Sequence, residues 1–278
     1  MTLYCDKTIR STMYKLSNIE MVRSGRTILA VDSLQIPTNE LTIVLGHNGS
    51  GKSTLVSLLA GQQAPDSGSV ELNNHQLCDY KARELAKRIA FLPQKLPTSA
   101  GLTVRELVKL GRFPWRGTLG RWNADDKTII NDAMLKTGVE IFADSLADQL
   151  SGGERQRAWV AMLLAQQSPI LILDEPTSAL DIQHQYQLMK LLAELNKKHH
   201  IGVIVILHDL NLALRYATHI VALKKGRIAF AGSAQKLLDE QQLSDLYETR
   251  IRLIDHPEPS YCKITNKHTT NKVAIICA

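Results

Sequence analysis

Two glycine-bearing segments of this chain each run into an apolar helical stretch, and both are built to receive an anion. The first, "GHNGSGKS" from Gly46 to Ser53, fits G-x-x-x-x-G-K-S, with the strand-like run "LTIVL" before it and "TLVSLLA" after it. Gly46, Gly49 and Gly51 let the backbone wrap phosphate oxygens, with Asn48 and Ser50 in the same loop. Lys52 neutralises the outer phosphates, Ser53 offers a hydroxyl to Mg²⁺, and Thr54 adds a further phosphate contact. The second segment, "LSGGERQRAWVAMLLA", places Ser151, Gly152 and Gly153 at a helix start, where free N–H groups and the positive end of the helix dipole coincide. Between and beyond them, "ILILDE" ends an apolar run with Asp174, suited to hold Mg²⁺ through water, and Glu175, suited to orient and polarise an attacking water. Gln94 in "FLPQK" and His208 in "VILHD" each close another apolar run. Taken alone, either is more often a residue satisfying local backbone groups than a catalytic one.

The elements that must carry these residues follow from the hydrophobic pattern. "LTIVLG", "ILILDE" and "VIVILHD" are short, apolar and β-branched, as expected of parallel strands buried on both faces. Between the last two, Leu188, Leu191, Leu192 and Leu195 share one helical face, and basic residues followed by Gly202 mark that helix's end. Strand, helix, strand is the crossover unit of a doubly wound sheet. The middle third is different in character: "TVRELVKLG" offers a Thr-x-x-Glu capping box and a terminal glycine, while Ile129, Ile130, Ala133 and Met134 line one face of a later helix. A helical insertion over about residues 95–160 is predicted. "RTILAVDSLQIP" and "GSVELNN" predict an antiparallel layer, and the stretch after His256 lacks a period and predicts a surface appendage.

Composition narrows the classes. The 278 residues, 44% of them apolar, suffice for one large α/β domain. No apolar run approaches the roughly 20 residues of a membrane helix, and the N-terminus lacks the apolar centre of a secretion signal, so a cytoplasmic protein is expected. Cys5, Cys78, Cys262 and Cys277 show neither CxxC pairing nor metal-ligand spacing, so free thiols and no structural metal are expected. The net charge of +6 sits at the ends: residues 1–30 and 250–278 each carry five Lys/Arg against two Asp/Glu. A broad basic face for nucleic acid is therefore not expected.

The ordered succession "GHNGSGKST", "LPQ", "LSGGERQR", "LILDEP", "SALD" and "LHD" resembles the nucleotide-binding subunits of ABC transporters, over about Met13 to Pro257. The resemblance implies an α/β fold: a P-loop NTPase core with a mostly parallel sheet, an antiparallel β layer and an inserted helical subdomain. The ATPase domain then spans 1–257 and the appendage 258–278. It also implies ATP and Mg²⁺ as ligands, Gln94 at Mg²⁺ as γ-phosphate sensor, His208 as the switch histidine and Asp181 in the loop between subunits. A second copy packs head to tail, so that Ser151, Gly152, Gly153 and Gln156 of one chain act on the ATP of the other. That family places an aromatic ring near "MVRSGR" to stack on adenine, and here Arg23 is the candidate in its place, with ATP expected and GTP left open.

Lys52 and Ser151 lie too close in sequence for a long coiled-coil arm, and each motif occurs once, so transport is favoured over a soluble ABC ATPase of translation or DNA repair. "LTVRELVKLGRFPWRGTLGRW" resembles the helical subdomain of importers for iron–siderophore complexes, cobalamin and haem, closest to the ferric hydroxamate subunits. This implies permease partners, an indirect dependence on a periplasmic or surface siderophore-binding protein, and a peripheral place on the cytoplasmic face of the inner membrane. Phe113, Trp115 and Trp122 are either core of that subdomain or, with Arg112 and Arg116 on a bent loop, anchors for the permease.

Overall fold

The computed structural model describes residues 13–99, 101–117, 122, 124–178, 180–237, 239–256 and 272–277. In chain order the strands are β1 (Met13–Arg23), β2 (Arg26–Pro37), β3 (Leu41–Leu45), β4 (Ser67–Leu72), β5 (His75–Gln76), β6 (Ile89–Leu92), β7 (Ile170–Leu173), β8 (Gly202–Ile206), β9 (His219–Lys224), β10 (Arg227–Ser233), β11 (Ile251–Asp255) and β12 (Lys272–Ile276). The helices are α1 (Lys52–Leu59), α2 (Ala82–Ala86), α3 (Val104–Leu110), α4 (Phe113–Arg116), α5 (Ala124–Thr137), α6 (Gly152–Ala165), α7 (Ile182–His199), α8 (Leu210–Tyr216) and α9 (Glu240–Tyr247).

Ten strands form one sheet in the order β5-β4-β1-β2-β10-β9-β3-β8-β7-β6. The β9-β3-β8-β7-β6 half is parallel throughout, and β1, β2, β4 and β5 form an antiparallel layer. Alternation within the central strands accounts for both faces. Val44, Ile172, Ile204 and Ile206 face α1 and the antiparallel layer, while Ile43, Leu45, Leu171, Leu173, Val203 and Val205 face the side of α6, α7 and α8. The predicted α/β class, parallel core and antiparallel layer are therefore present. No helix among the described residues is long and apolar enough to cross a membrane.

The inserted helices pack as the pattern implies. Thr103 caps α3 through the reciprocal box with Glu106, and Ile130, Ala133 and Met134 of α5 are buried while Ile129 packs at the margin. The glycine after α3 stands at its C-cap, as expected, and has a second purpose besides. Gly111 keeps right-handed backbone angles, and a Cβ there would overlap the Met162 carbonyl oxygen, so it is the point where α3 and α6 touch.

The loop that follows corrects two expectations. Phe113–Arg116 is a short helical turn, and the guanidinium of Arg112 is buried: it pairs with Asp126 at 3.0 Å and donates to the Ala165 carbonyl at 2.8 Å and to Gln167 at 3.0 Å. Arg116 pairs with the same Asp126 carboxylate. Both arginines thus close the turn onto α5 and α6 instead of projecting as anchors. The rings do the reverse of core packing: Phe113 is 53% exposed, Trp115 42% and Trp122 55%. Trp115 is nevertheless tied down: its indole N–H donates to the Gln166 carbonyl at 2.6 Å, and Lys87 and Arg112 lie over its ring at 5.4 and 5.6 Å from the centroid.

A third correction concerns the C-terminus. Residues 257–271 lie outside the described residues, but β12 pairs antiparallel with β11 in full register from Ile251↔Ile276 to Asp255↔Lys272. For residues 272–276 the expected appendage is therefore a ribbon folded back on the domain. The apolar run "VAII" supplies it, too short to show a period by itself.

Gly111→Ala should destabilise the chain by about 1–3 kcal/mol through forced separation of α3 and α6. Urea unfolding checks this, and nucleotide affinity in the folded fraction should be unchanged.

Candidate functional site

Strands buried on both faces can display polar side chains only at their ends, and four parallel strands do so at one edge of the sheet. β3 leads into the glycine loop, β6 into Gln94, β7 into Asp174 and Glu175, and β8 into His208. They meet in a cleft of about 410 Å³ lined by Ile28, Asn48, Gly49, Gly51, Lys52, Ser53, Thr54, Gln94, Glu175 and His208.

The loop is shaped by close approach. Gly46 has φ +143°, and a Cβ there would overlap the Leu223 carbonyl oxygen of β9. At its far end, α1 begins at Gly51 with no side-chain cap and no acidic residue in its first turn. Its first N–H groups are thus available to an anion. Lys52 is buried and donates to the carbonyls of Gly46 and His47, both at 2.9 Å. Burial lowers its pKa, partly offset by the carboxylates of Glu175 and Asp174. Ser50 is buried, and its hydroxyl has no hydrogen-bond partner among the described residues.

Opposite the loop, the Ser53 hydroxyl donates to Asp174 Oδ1 at 3.1 Å. Burial raises the Asp174 pKa, the bond from Ser53 opposes this, and the neighbouring Glu175 reinforces it. A buried carboxylate paired with a hydroxyl, beside a side-chain amide, is an all-oxygen donor set of the hard kind that Mg²⁺ requires. Glu175 is gripped from two sides: Gln94 Nε2 donates to Oε2 at 2.6 Å, and His208 Nε2 stands 2.7 Å from Oε1. Its backbone has φ +47°, uncommon for a residue with a Cβ, and Ser178 donates to its carbonyl from both N–H and hydroxyl. The strand-end carboxylate is thus turned out of the sheet direction and fixed.

The second helix end is not part of this cleft. Ser151 caps α6, and its hydroxyl donates to Glu154 Oε2 at 2.6 Å while its backbone N–H donates to the same oxygen at 2.9 Å. These bonds hold the Glu154 carboxyl below the usual range. Within a single chain, the anion at this helix end is Glu154 itself. Gly152 and Gly153 form the first turn, Gln156 is buried beneath it, and the ring of His184 lies against Gly153. His184 pairs at 2.8 Å with Asp181, the cap of α7, so the start of α6 and the Asp181 loop are in contact.

Arg23 does not reach the cleft lining. Its guanidinium pairs with Asp66 at 3.2 Å and with Gln63 at 3.2 Å, and the residue from this strand pair at the cleft is Ile28. In the sequence Ile28 is one apolar residue inside a strand pattern and carries no signal of its own. Position relative to the loop, visible only in the fold, singles it out.

A profile of the family described as ABC transporter matches residues 29–178. The ferric enterobactin transport ATP-binding protein FepC of Escherichia coli is 41% identical over 225 residues, 81% of this chain and 83% of that protein. The iron(3+)-hydroxamate import ATP-binding protein FhuC of Bacillus subtilis is 37% identical over 232 residues, 84% of this chain and 86% of that one. Among solved structures, the dimeric bacterial ABC transporter cassette MJ0796 superposes with a TM-score of 0.68 at 30% identity, covering 80% of this chain and 98% of that one.

The raised Asp174 pKa has a measurable sign. The folded protein favours the neutral carboxyl, so this group's contribution to stability is complete below its unfolded-state value and is lost as pH rises through the folded value. Asp174→Asn keeps an acceptor for Ser53 and removes the charge. Nucleotide-free Asp174→Asn should melt higher than the parent near pH 7, by about 2–4 °C per kcal/mol recovered. The gap should close toward pH 4, as differential scanning calorimetry would show.

Proposed function

The chain belongs to the ABC transporter ATP-binding family, and we propose from that premise that it is the ATP-hydrolysing subunit of an importer that energises uptake of an iron(III)–siderophore complex, hydroxamate type among them. The observation that carries the hydrolytic part is the fixing of Glu175 by Gln94 and His208 over a phosphate loop with an open helix end. The cargo reading is supported by relatives named for ferric enterobactin and iron(3+)-hydroxamate at similar identity. These names favour transport over the translation and repair alternatives, and siderophores over cobalamin. A relative named for hemin import, 39% identical over 87% of this chain, keeps haem as the second reading.

In the proposed cycle, Lys52 exchanges the carbonyls of Gly46 and His47 for the outer phosphates of ATP, a trade of neutral acceptors for charged ones. The N–H groups of the loop and of α1, with Thr54, hold the remaining oxygens. Ser53, Asp174 and Gln94 would hold Mg²⁺, which supplies neutralisation of the phosphate charge when bound. Glu175 orients the attacking water, and His208 and Gln94 hold its carboxylate in place while reporting on the γ-phosphate. A second copy packs head to tail, as supported by the dimeric cassette relative. Its Ser151 then gives up Glu154 for the neighbour's phosphate, with Gly152 and Gly153 adding N–H donors, Gln156 bracing the turn, and Asp181 at the subunit boundary. The domain proposed for this work is residues 1–257, to which the ribbon adds its last strand.

For the permease, the exposed rings of Phe113 and Trp115 are the proposed contact, with Arg112 and Arg116 holding the turn through Asp126. This would place the subunit on the cytoplasmic face of the membrane. A siderophore-binding protein would act on it only through the permease. For the base of ATP, Ile28 is the proposed apolar support in place of Arg23.

Glu175→Gln should lower kcat at least 100-fold while ATP still binds and holds the dimer closed, and Lys52→Ala should weaken binding itself. Single-turnover hydrolysis and size-exclusion chromatography with ATP decide this, and an unchanged rate for Glu175→Gln removes it from the catalytic role. Phe113→Ser should leave the melting temperature unchanged but reduce permease capture and uptake of radiolabelled iron–hydroxamate. Uptake of labelled haem in its place would select the second reading.

A further inference from the structure

The C-terminal elements, which the hydrolytic reading does not use, grip the segment that carries His208 through β12 and touch the phosphate loop through α9. Asp209 caps α8, accepting from the N–H groups of Asn211 at 2.7 Å and Leu212 at 3.0 Å. Asn211 then turns its amide to β12 and makes both bonds of a strand pair: its Oδ1 accepts from the Ala274 N–H at 2.8 Å, and its Nδ2 donates to the Ala274 carbonyl at 3.3 Å. The ribbon is in turn fastened to α9, where Leu253 donates to Glu240 at 2.7 Å and the Ser244 hydroxyl accepts from Ile251 at 2.9 Å. At the end of α9, the ring of Tyr247 meets that of His47 edge-on, with centroids 5.6 Å apart. His47 belongs to the phosphate loop. The Tyr247 hydroxyl is buried without a hydrogen-bond partner among the described residues, and burial together with the nearby Asp209 carboxylate pushes its pKa up to about 12.

α8 is seven residues long, too short to be stable by itself, so its first turn depends on what anchors it. The His208 side chain is 44% exposed and must nevertheless keep its nitrogen 2.7 Å from Glu175. Its placement therefore comes from the backbone of this turn. We propose that Asn211, clasped by β12, is a positioning residue for ATP hydrolysis: it fixes the start of α8 and so holds the His208 imidazole on Glu175. This inference rests on the roles assigned above to His208 and Glu175.

The test compares full-length protein, a chain ending at residue 271, Asn211→Ala and Asn211→Asp, each also carrying His208→Ala, in steady-state ATP hydrolysis with Mg²⁺. Loss of β12 or of the Asn211 amide should lower kcat about tenfold, since displacements near 1 Å at reacting groups cost rate on this scale. KM for ATP should stay within twofold because Lys52 and the loop are untouched. Asn211→Asp, which still accepts from Ala274, should fall between parent and Asn211→Ala. Thermal melting identifies any variant that fails to fold, and if the shortened chain does so, the two point variants decide. In the His208→Ala background none of these changes should lower kcat further. Full kcat for the folded variants, or the same fractional loss with and without His208, overturns the inference. His208→Ala with full kcat sinks the histidine assignment and this inference together. A low kcat for His208→Ala beside full kcat for the Asn211 variants sinks this inference alone.

Discussion

The burial of both faces of the parallel strands is the constraint from which the site follows. Apolar side chains alternate to two cores, one against α1 and the antiparallel layer and one against α6, α7 and α8, so no polar group can appear along β3, β7 or β8 without a cost in desolvation. Chemistry is displaced to the strand ends. There the loop after β3, Gln94, Asp174, Glu175 and His208 come within bonding reach although they are spread over most of the chain. This is the crevice at the carboxyl edge that open α/β sheets offer to ligands.

The two anion-seeking helix ends differ in how they are closed, and that difference orders their work. α1 has no cap, and its lysine rests on carbonyls that a phosphate readily replaces. α6 is closed by its own Ser151–Glu154 box, which leaves that helix end satisfied within the single chain. Such an end is stable alone. An uncapped second helix would be either a permanent liability in the free subunit or a trap for stray anions.

The glycine loop and the strand-end carboxylates were legible in the sequence because each is tied to a local pattern, a fixed spacing or the end of an apolar run, whereas Gln94 and His208 became legible only through the ordered succession of motifs that resembles the ABC transporter family. The capping boxes at Thr103 and Ser151 were legible from their local spacing. What could not be read depends on contacts distant in sequence. Arg112 and Arg116 look like surface cations until Asp126 closes on both, and Gly111 looks like a helix stop until α6 arrives beside it. Ile28 is one apolar residue of a strand, and "VAII" is too short to declare a period. In each case the deciding partner is an atom on another element, about which local spacing carries no information.

Glu175 is the one group of this site that carries a backbone penalty, its left-handed φ being a conformation that glycine would adopt freely. Glycine at position 175 would relieve the bend and at the same time leave Gln94 and His208 without the carboxylate they share. The strain of the turn and the closure of the cleft are therefore carried by one residue, and neither can be altered without the other.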